Sequence, residues 1–410
     1  MRGVDFPLLG LFLFVACLVA MVTRRLKLPY SAGLVAAGLL LGLVPSAPEV
    51  HLTPELIFTV FLPPLIFEAA IQIGWGTLRR ELPLLLVLVT VGVLLAAAVV
   101  AAGMHYLVGW SWLGAAFFAI LVAATDPVSV IAMFKDVPVE PRLHLLVEAE
   151  SLLNDGVAAV VFAVLVAIAG GGALTLPFVG GKLALVSLGG IAAGVAVTLP
   201  LLLLAGRTHD RLVEITLTTL AAFGSFLLAE HVHVSGVLAG LTAGLLVGNL
   251  GWMGSITDTS RPNVLAFWDY AAFLANSFIF ILIGIAEGGT PILPVLEAAA
   301  VAILLALAGR AATIYPIALL FRKSRLAVSG AYQHVLWWGG LRGALALGLA
   351  LAVPASVAER GQIIPVAFAI VAFSVFVQGL TMGPLVRRLK LRRGEPGSSP
   401  VQPGGASEES

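Results

Sequence analysis

Apolar residues run almost without interruption from Phe6 to Val386, and the breaks between runs hold most of the charged residues, prolines and glycines. A helix needs about 20 apolar residues to cross the hydrocarbon core of a bilayer. Splitting the chain at these breaks predicts thirteen helices, over roughly 6–23, 29–45, 54–73, 82–108, 111–134, 142–168, 181–204, 211–230, 234–250, 263–285, 292–320, 327–353 and 361–386. The expected fold is an all-α polytopic membrane protein.

The basic residues give an independent reading of that count, because Lys and Arg gather in the cytoplasmic loops of membrane proteins. Every second loop is basic: Arg24/Arg25/Lys27, Arg79/Arg80, Lys135/Arg142, Arg207/Arg211, Arg261, Arg322/Lys323/Arg325 and the tail from Arg387. The loops between them carry Glu49, His51, His231, His233 and Glu287 and almost no basic residue, with Lys182 and Arg360 at their margins. A topology with the N-terminus outside and the C-terminus inside follows. The first basic cluster comes after the first apolar run, which favours a retained helix over a cleaved secretory signal.

The chain also repeats itself. Ala36-Ala37-Gly38-Leu39-Leu40-Leu41-Gly42-Leu43 in helix 2 is matched by Thr242-Ala243-Gly244-Leu245-Leu246-Val247-Gly248-Asn249 in helix 9, which runs the opposite way. Helices 1–6 and 8–13 would then form an inverted repeat with helix 7 as the link, an arrangement common in secondary transporters. Glycines 236, 240, 244 and 248 lie on one face of helix 9 and predict close helix packing. Residues 1–386 are read as one integral membrane domain. Residues 387–410 start basic and end in Gly, Pro, Ser and Glu, and are expected to be a short disordered cytoplasmic tail.

Composition narrows the function classes. The chain is 60% hydrophobic and 11% charged, whereas a soluble domain carries roughly 25% charged residues. Its surface must therefore face lipid. A net charge of +1 with no basic face argues against a nucleic-acid partner. Cys17 is the only cysteine, which rules out an intrachain disulfide and a cysteine-based transition-metal site. Paired aspartates such as Asp126 and Asp155 also suit an intramembrane protease, but neither Gly-x-Gly-Asp nor His-Glu-x-x-His occurs. A transporter without a cofactor is favoured over an enzyme, and over an open channel.

The remaining signal lies in ionisable residues inside the apolar runs, which are costly in a bilayer and imply function. They are Glu68, Asp126, Glu148, Glu150, Asp155, Arg310 and Arg342. At about 1.5 Å per residue, Asp126, Glu150, Asp155 and Arg310 all fall near mid-membrane. Helix 6 carries Glu150-Ser151-Leu152-Leu153-Asn154-Asp155, with Ser151 and Asp155 one turn apart. A hydroxyl, an amide oxygen and a carboxylate are hard ligands suited to an alkali cation. Helix 5 carries Thr125-Asp126-Pro127, where the proline frees carbonyls near residue 123. Helix 12 carries Gly339-Gly340-Leu341-Arg342-Gly343 at similar depth, so both helices are expected to break, with Arg342 offsetting exposed carbonyl ends. Carboxylates held among like charges take up either a proton or a cation, and competition for the same oxygens gives exchange.

These segments resemble the monovalent cation:proton antiporter family, which includes the NhaP-type sodium/proton antiporters and the animal plasma-membrane exchangers. The resemblance rests on Phe61-Leu62-Pro63-Pro64-Leu65-Ile66-Phe67-Glu68, Thr125-Asp126-Pro127, Glu150 to Gly156, Gly309-Arg310 and Gly339 to Ala344, in family order. It implies that Asp155 is the essential sodium- and proton-binding carboxylate, with Asn154, Thr125, Asp126, Ser151 and Glu68 completing the cation site. Glu150 and Arg310 resemble the family's structural ion pair, and Arg342 its helix-break charge. The resemblance further implies a homodimer in the cell membrane that serves pH homeostasis. A mobile core, about 82–168 and 292–386, would move against a scaffold of the remaining helices. Asn154 suggests electroneutral exchange of one sodium per proton, and a potassium/proton or broader cation antiporter stays open. Glu148 receives no role.

Overall fold

In lipid the backbone must satisfy its own polar groups, and long runs of Ala, Leu and Val do so as helix. The computed structural model describes residues 6–26, 28–43, 52–127, 130, 131, 134, 139–172, 175–288 and 293–391. Fourteen main helices are present among them. The first five are α1 Phe6–Leu26, α2 Tyr30–Gly42, α3 Pro54–Gln72, α4 Trp75–Val108 and α5 Trp112–Ala123. There follow α6 Pro141–Ala169, α7 Leu176–Ala205, α8 Arg211–His231, α9 Gly236–Asn249 and α10 Arg261–Gly288. The chain continues with α11 Leu296–Leu320, α12 Gly330–Trp338, α13 Ala344–Ala352 and α14 Arg360–Arg388.

Ten of the described helices are long and apolar enough to cross a membrane. The other four, α2, α5, α12 and α13, fall within the predicted segments 29–45, 111–134 and 327–353. One boundary differs markedly from expectation: α4 starts at Trp75 rather than near 82, so Arg79 and Arg80 belong to a helix and not to a loop. The turn before it takes only Ile73 and Gly74 in extended conformation. The α14 helix likewise runs past 386 to Arg388. Lys27, Glu49, His51, Lys135 and residues 392–410, all used in the topology and tail readings, lie outside the described residues.

The helices pack in two sets. In one, α4 lies against α5 and α11, α5 against α6, and α14 against α11 and α13. In the other, α2 packs on α10, α3 on α9 and α10, and α7 and α8 on α9. The tightest seams of the second set are built by glycine. Gly38 of α2 faces the Ile281 carbonyl and Gly284 of α10, where an added Cβ would meet backbone. Gly244 and Gly248 of α9 likewise face the backbone of Phe67 and Ile71 in α3. The regular glycine spacing of helix 9 is thus a packing face, as small residues let two backbones approach closely.

Two interruptions lie within the first set. After α5 the backbone leaves the helix at Ala124, and helical bonding resumes where Ile131 N–H donates to the Pro127 carbonyl at 2.8 Å. Pro127 has no amide hydrogen to continue the ladder. Between α12 and α13, residues 339–343 leave the helix, with Gly343 at φ −144° and ψ −141°. The two breaks touch: the Asp126 amide donates to the Leu341 carbonyl at 2.7 Å. The N-terminal end of α5 is fixed too, because Glu359 at the start of α14 accepts from Ser111 N–H at 2.9 Å and from its hydroxyl at 3.0 Å.

Candidate functional site

A broken helix exposes carbonyls that must find donors, since an unsatisfied polar group at membrane depth costs several kcal/mol, on the order of those in apolar media. The structure supplies the donors from side chains of α6 and of the opposite break. The Asn154 amide nitrogen donates to the Ala123 carbonyl at 2.9 Å, and Ser151 Oγ donates to the Thr125 carbonyl at 2.9 Å. Arg342 Nε donates to the Val122 carbonyl at 2.9 Å, and its Nη1 reaches the Gly340 carbonyl. The carbonyls freed near residue 123 are therefore already engaged by side chains. Arg342 lies at the carbonyl end of α5 as well as in its own break, where a positive charge is favoured by the helix dipole.

The other break is stabilised in the same way. Arg310 in α11 binds Glu150 of α6 with both terminal nitrogens, at 2.6 and 2.8 Å. Its Nε and Nη2 also donate to the Leu336 carbonyl in the last turn of α12, at 3.2 and 3.0 Å. Each half-helix end thus receives one guanidinium, Arg342 for α5 and Arg310 for α12. Glu150 and Arg310 are both buried, and a bidentate pair whose guanidinium also donates to a nearby carbonyl is the geometry in which a buried ion pair persists.

A short hydrogen-bond chain then orders the polar face of α6. The Asn154 amide donates to Thr125 Oγ1 at 3.2 Å. Thr125 and Ser151 hydroxyls share a bond of 2.8 Å, and because Ser151 spends its proton on the Thr125 carbonyl, Thr125 is the donor. The chain uses the amide and hydroxyl protons of these side chains and leaves two oxygens over. Asn154 Oδ1 and Asp155 Oδ1 are buried and accept no hydrogen bond. The charges of Asp126 and Glu150 both bear on Asp155.

Of the residues singled out in the sequence, Thr125, Asp126, Ser151, Asn154 and Asp155 come together here, with Arg342 beside them. Thr125, Ser151 and Asn154 are buried, whereas Asp126 and Asp155 keep partial exposure. Glu68 is held differently: it lies on α3 and accepts from Gln72, one turn further on. Glu148 is paired with His144, at 3.5 Å, nearer the start of α6. One participant escaped the sequence reading. A Cβ at Gly343 would overlap the Asp126 carboxylate, so the absence of a side chain there is what seats Asp126 against the second break. The glycine run hinted at a weak helix, but not at which carboxylate it accommodates.

Gly343→Ala should therefore displace Asp126. Overpacking of this kind costs about 1–3 kcal/mol, and the variant is expected to fold with a lowered melting point and a clearly reduced transport rate. Native transport in that variant would mean that Asp126 has room to move aside.

Interrupted helices that meet beside carboxylates at the centre of a helical membrane bundle define a secondary transporter. The chain belongs to the sodium/hydrogen exchanger family: the family model described as the transmembrane part of sodium/hydrogen exchangers matches residues 11–388. It is thus a member of a transporter family and not an enzyme. Among its relatives is the low-affinity Na+/H+ antiporter NhaS1 of Synechocystis, 36% identical over 95% of this chain and 75% of that protein. The Na+/H+ antiporter NhaP of Pseudomonas aeruginosa is 33% identical over 82% of this chain and 81% of its own length. The solved sodium proton antiporter MjNhaP1 of Methanocaldococcus jannaschii shares the fold, with a TM-score of 0.73 at 22% identity over 94% of this chain and 98% of that one.

Proposed function

We propose that this protein exchanges sodium for protons across the membrane, with both competing for Asp155. The observation that carries the reading is the pair of buried oxygens left over on α6, Asn154 Oδ1 and Asp155 Oδ1, beside the crossing of two broken helices. Oxygens without a hydrogen-bond donor are suited to an alkali cation, and a carboxylate among them accepts a proton equally well. Thr125, Ser151 and Asp126 complete the cation site, and Glu68 contributes from α3. The relatives bearing the name of Na+/H+ antiporter support sodium as the cargo.

Charge counting supports a ratio of one to one. Arg310 neutralises Glu150 by its bidentate contact. Among the groups on α6 and the two breaks, Asp126 and Asp155 against Arg342 leave one negative charge in excess, enough for one sodium ion or one proton, and Glu68, bonded to Gln72 on α3, lies outside this count. Asn154 adds none, being a neutral amide whose nitrogen is committed to Ala123 and Thr125. Alternating access would move the set α4–α6 and α11–α14 as a core against the rest as a scaffold, in a homodimer of the cell membrane that serves pH homeostasis. Thirteen crossings are read here, with α12 and α13 forming one, the N-terminus outside and the C-terminus inside. The packing agrees with an inverted repeat of helices 1–6 and 8–13: the α2–α10 seam maps onto the α9–α3 seam when each helix is advanced or set back by seven.

The test is sodium-driven proton efflux from acid-loaded proteoliposomes. Sodium should alkalinise the lumen, potassium should not, and an imposed membrane potential should leave the rate unchanged. Absence of sodium-driven efflux refutes antiport. Equal efflux with potassium refutes the selectivity, and a rate that follows the potential refutes the one-to-one ratio.

A further inference from the structure

We infer that the groove between α12 and the end of α14 binds the headgroup of an anionic phospholipid. This goes beyond the exchange reaction and does not depend on which way the chain is oriented. The groove holds about 400 Å³ and is lined by His334, Trp337, Trp338, Pro384, Leu385 and Arg388 together with Thr381. It lies outside the exchange site and opens toward a basic edge where α11 and α14 end and α12 begins. Arg322, Lys323, Arg325, Arg387, Arg388 and Lys390 are all exposed along that edge. Arg388 has no ion-pair partner among the described residues, and no carboxylate lines the groove.

The walls are fixed rather than loose. Trp338 Nε1 donates to Thr381 Oγ1 at 2.8 Å, and Gln378 donates to the Trp338 carbonyl at 3.0 Å. Trp337 Nε1 donates to the Leu307 carbonyl at 3.0 Å, and Tyr315 OH meets His334 Nδ1 at 2.8 Å. Trp337 and Trp338 adjoin the break at 339–343, so the groove runs from near mid-depth out to Arg388 at the basic edge, the depth over which acyl chain gives way to headgroup. The neighbouring surface is lipid-like in chemistry, with Leu319 and Leu320 among the most exposed apolar side chains. An apolar wall for acyl chains beneath an Arg388 with no carboxylate partner among the described residues, with His334 alongside, complements one class of ligand, a lipid with a negative headgroup.

The experiment is thermal melting of the purified full chain in detergent, with added phosphatidylglycerol, phosphatidylcholine or inorganic phosphate. Phosphatidylglycerol should raise the melting point of the native chain and of Arg207→Ala, a basic residue in the loop after α7. Arg388→Ala and His334→Ala should lose most of that rise while melting like the native chain without lipid. Brominated phosphatidylglycerol should quench tryptophan fluorescence in the native chain more than in Arg388→Ala. An equal rise with phosphatidylcholine, an equal rise in Arg388→Ala, or a full rise with phosphate alone each overturns the inference. None of these outcomes bears on antiport, which is read from flux.

Discussion

Replacing Asp155 with asparagine should reduce sodium-driven proton flux to that of empty liposomes while leaving the melting point near native. The substitution keeps size and the oxygen but removes the only group on this face of α6 that can alternate between proton and cation. Its neighbours are held by other bonds: Asn154 by Ala123 and Thr125, and Ser151 by Thr125. The fold therefore has little reason to depend on the charge of Asp155. With Asp155 neutral, Asp126 and Arg342 balance, and no excess charge remains on α6 and the two breaks to attract a cation. The measurement is luminal pH after a sodium pulse, paired with a melting curve for each protein. Flux in the variant at even a substantial fraction of native would remove Asp155 from the centre of the mechanism.

The largest stability effect is expected at the ion pair below the site. Arg310→Met leaves the Glu150 carboxylate buried without a partner and strips the Leu336 carbonyl of its donors. Breaking one side of a buried pair typically costs about 3–5 kcal/mol, and here the end of α12 loses its cap as well. The variant should melt well below native and accumulate poorly in the membrane. Glu150→Gln combined with Arg310→Met should recover part of the loss, since removing both charges spares the desolvation of a lone carboxylate. Unfolding in detergent for the two single variants and the pair checks this. A double variant no better than Arg310→Met would show that the Leu336 contact, and not the charge pair, is what Arg310 contributes.

Much of this architecture is legible in the chain because bilayer thickness imposes a length on every apolar run. The helices α1 to α11 and α14 each fall within or around a predicted segment, and the misplaced start of α4 has a simple cause. Charged residues such as Arg79 and Arg80 end an apolar run without ending a helix, for a helix continues past the core wherever its backbone bonds do. The break at Pro127 was equally readable, as proline cannot donate to the ladder. The break at 339–343 was readable only as a weakness, since glycine permits an unwound stretch without requiring it.

The sequence by itself determined where the helices run, where two of them weaken, and which side chains at mid-depth are ionisable. These are local properties, set by apolar length, by proline and glycine, and by the cost of charge in lipid. Only the tertiary structure decided who satisfies whom. Arg342 reaches Val122 across 220 positions and Arg310 reaches Glu150 across 160, and no residue pattern states such pairings. They exist because two unwound stretches cross, leaving carbonyls that buried donors must fill. Once Asn154, Ser151 and both arginines have been spent on that task, two oxygens on α6 are left without a donor, and the candidate ion site is what remains.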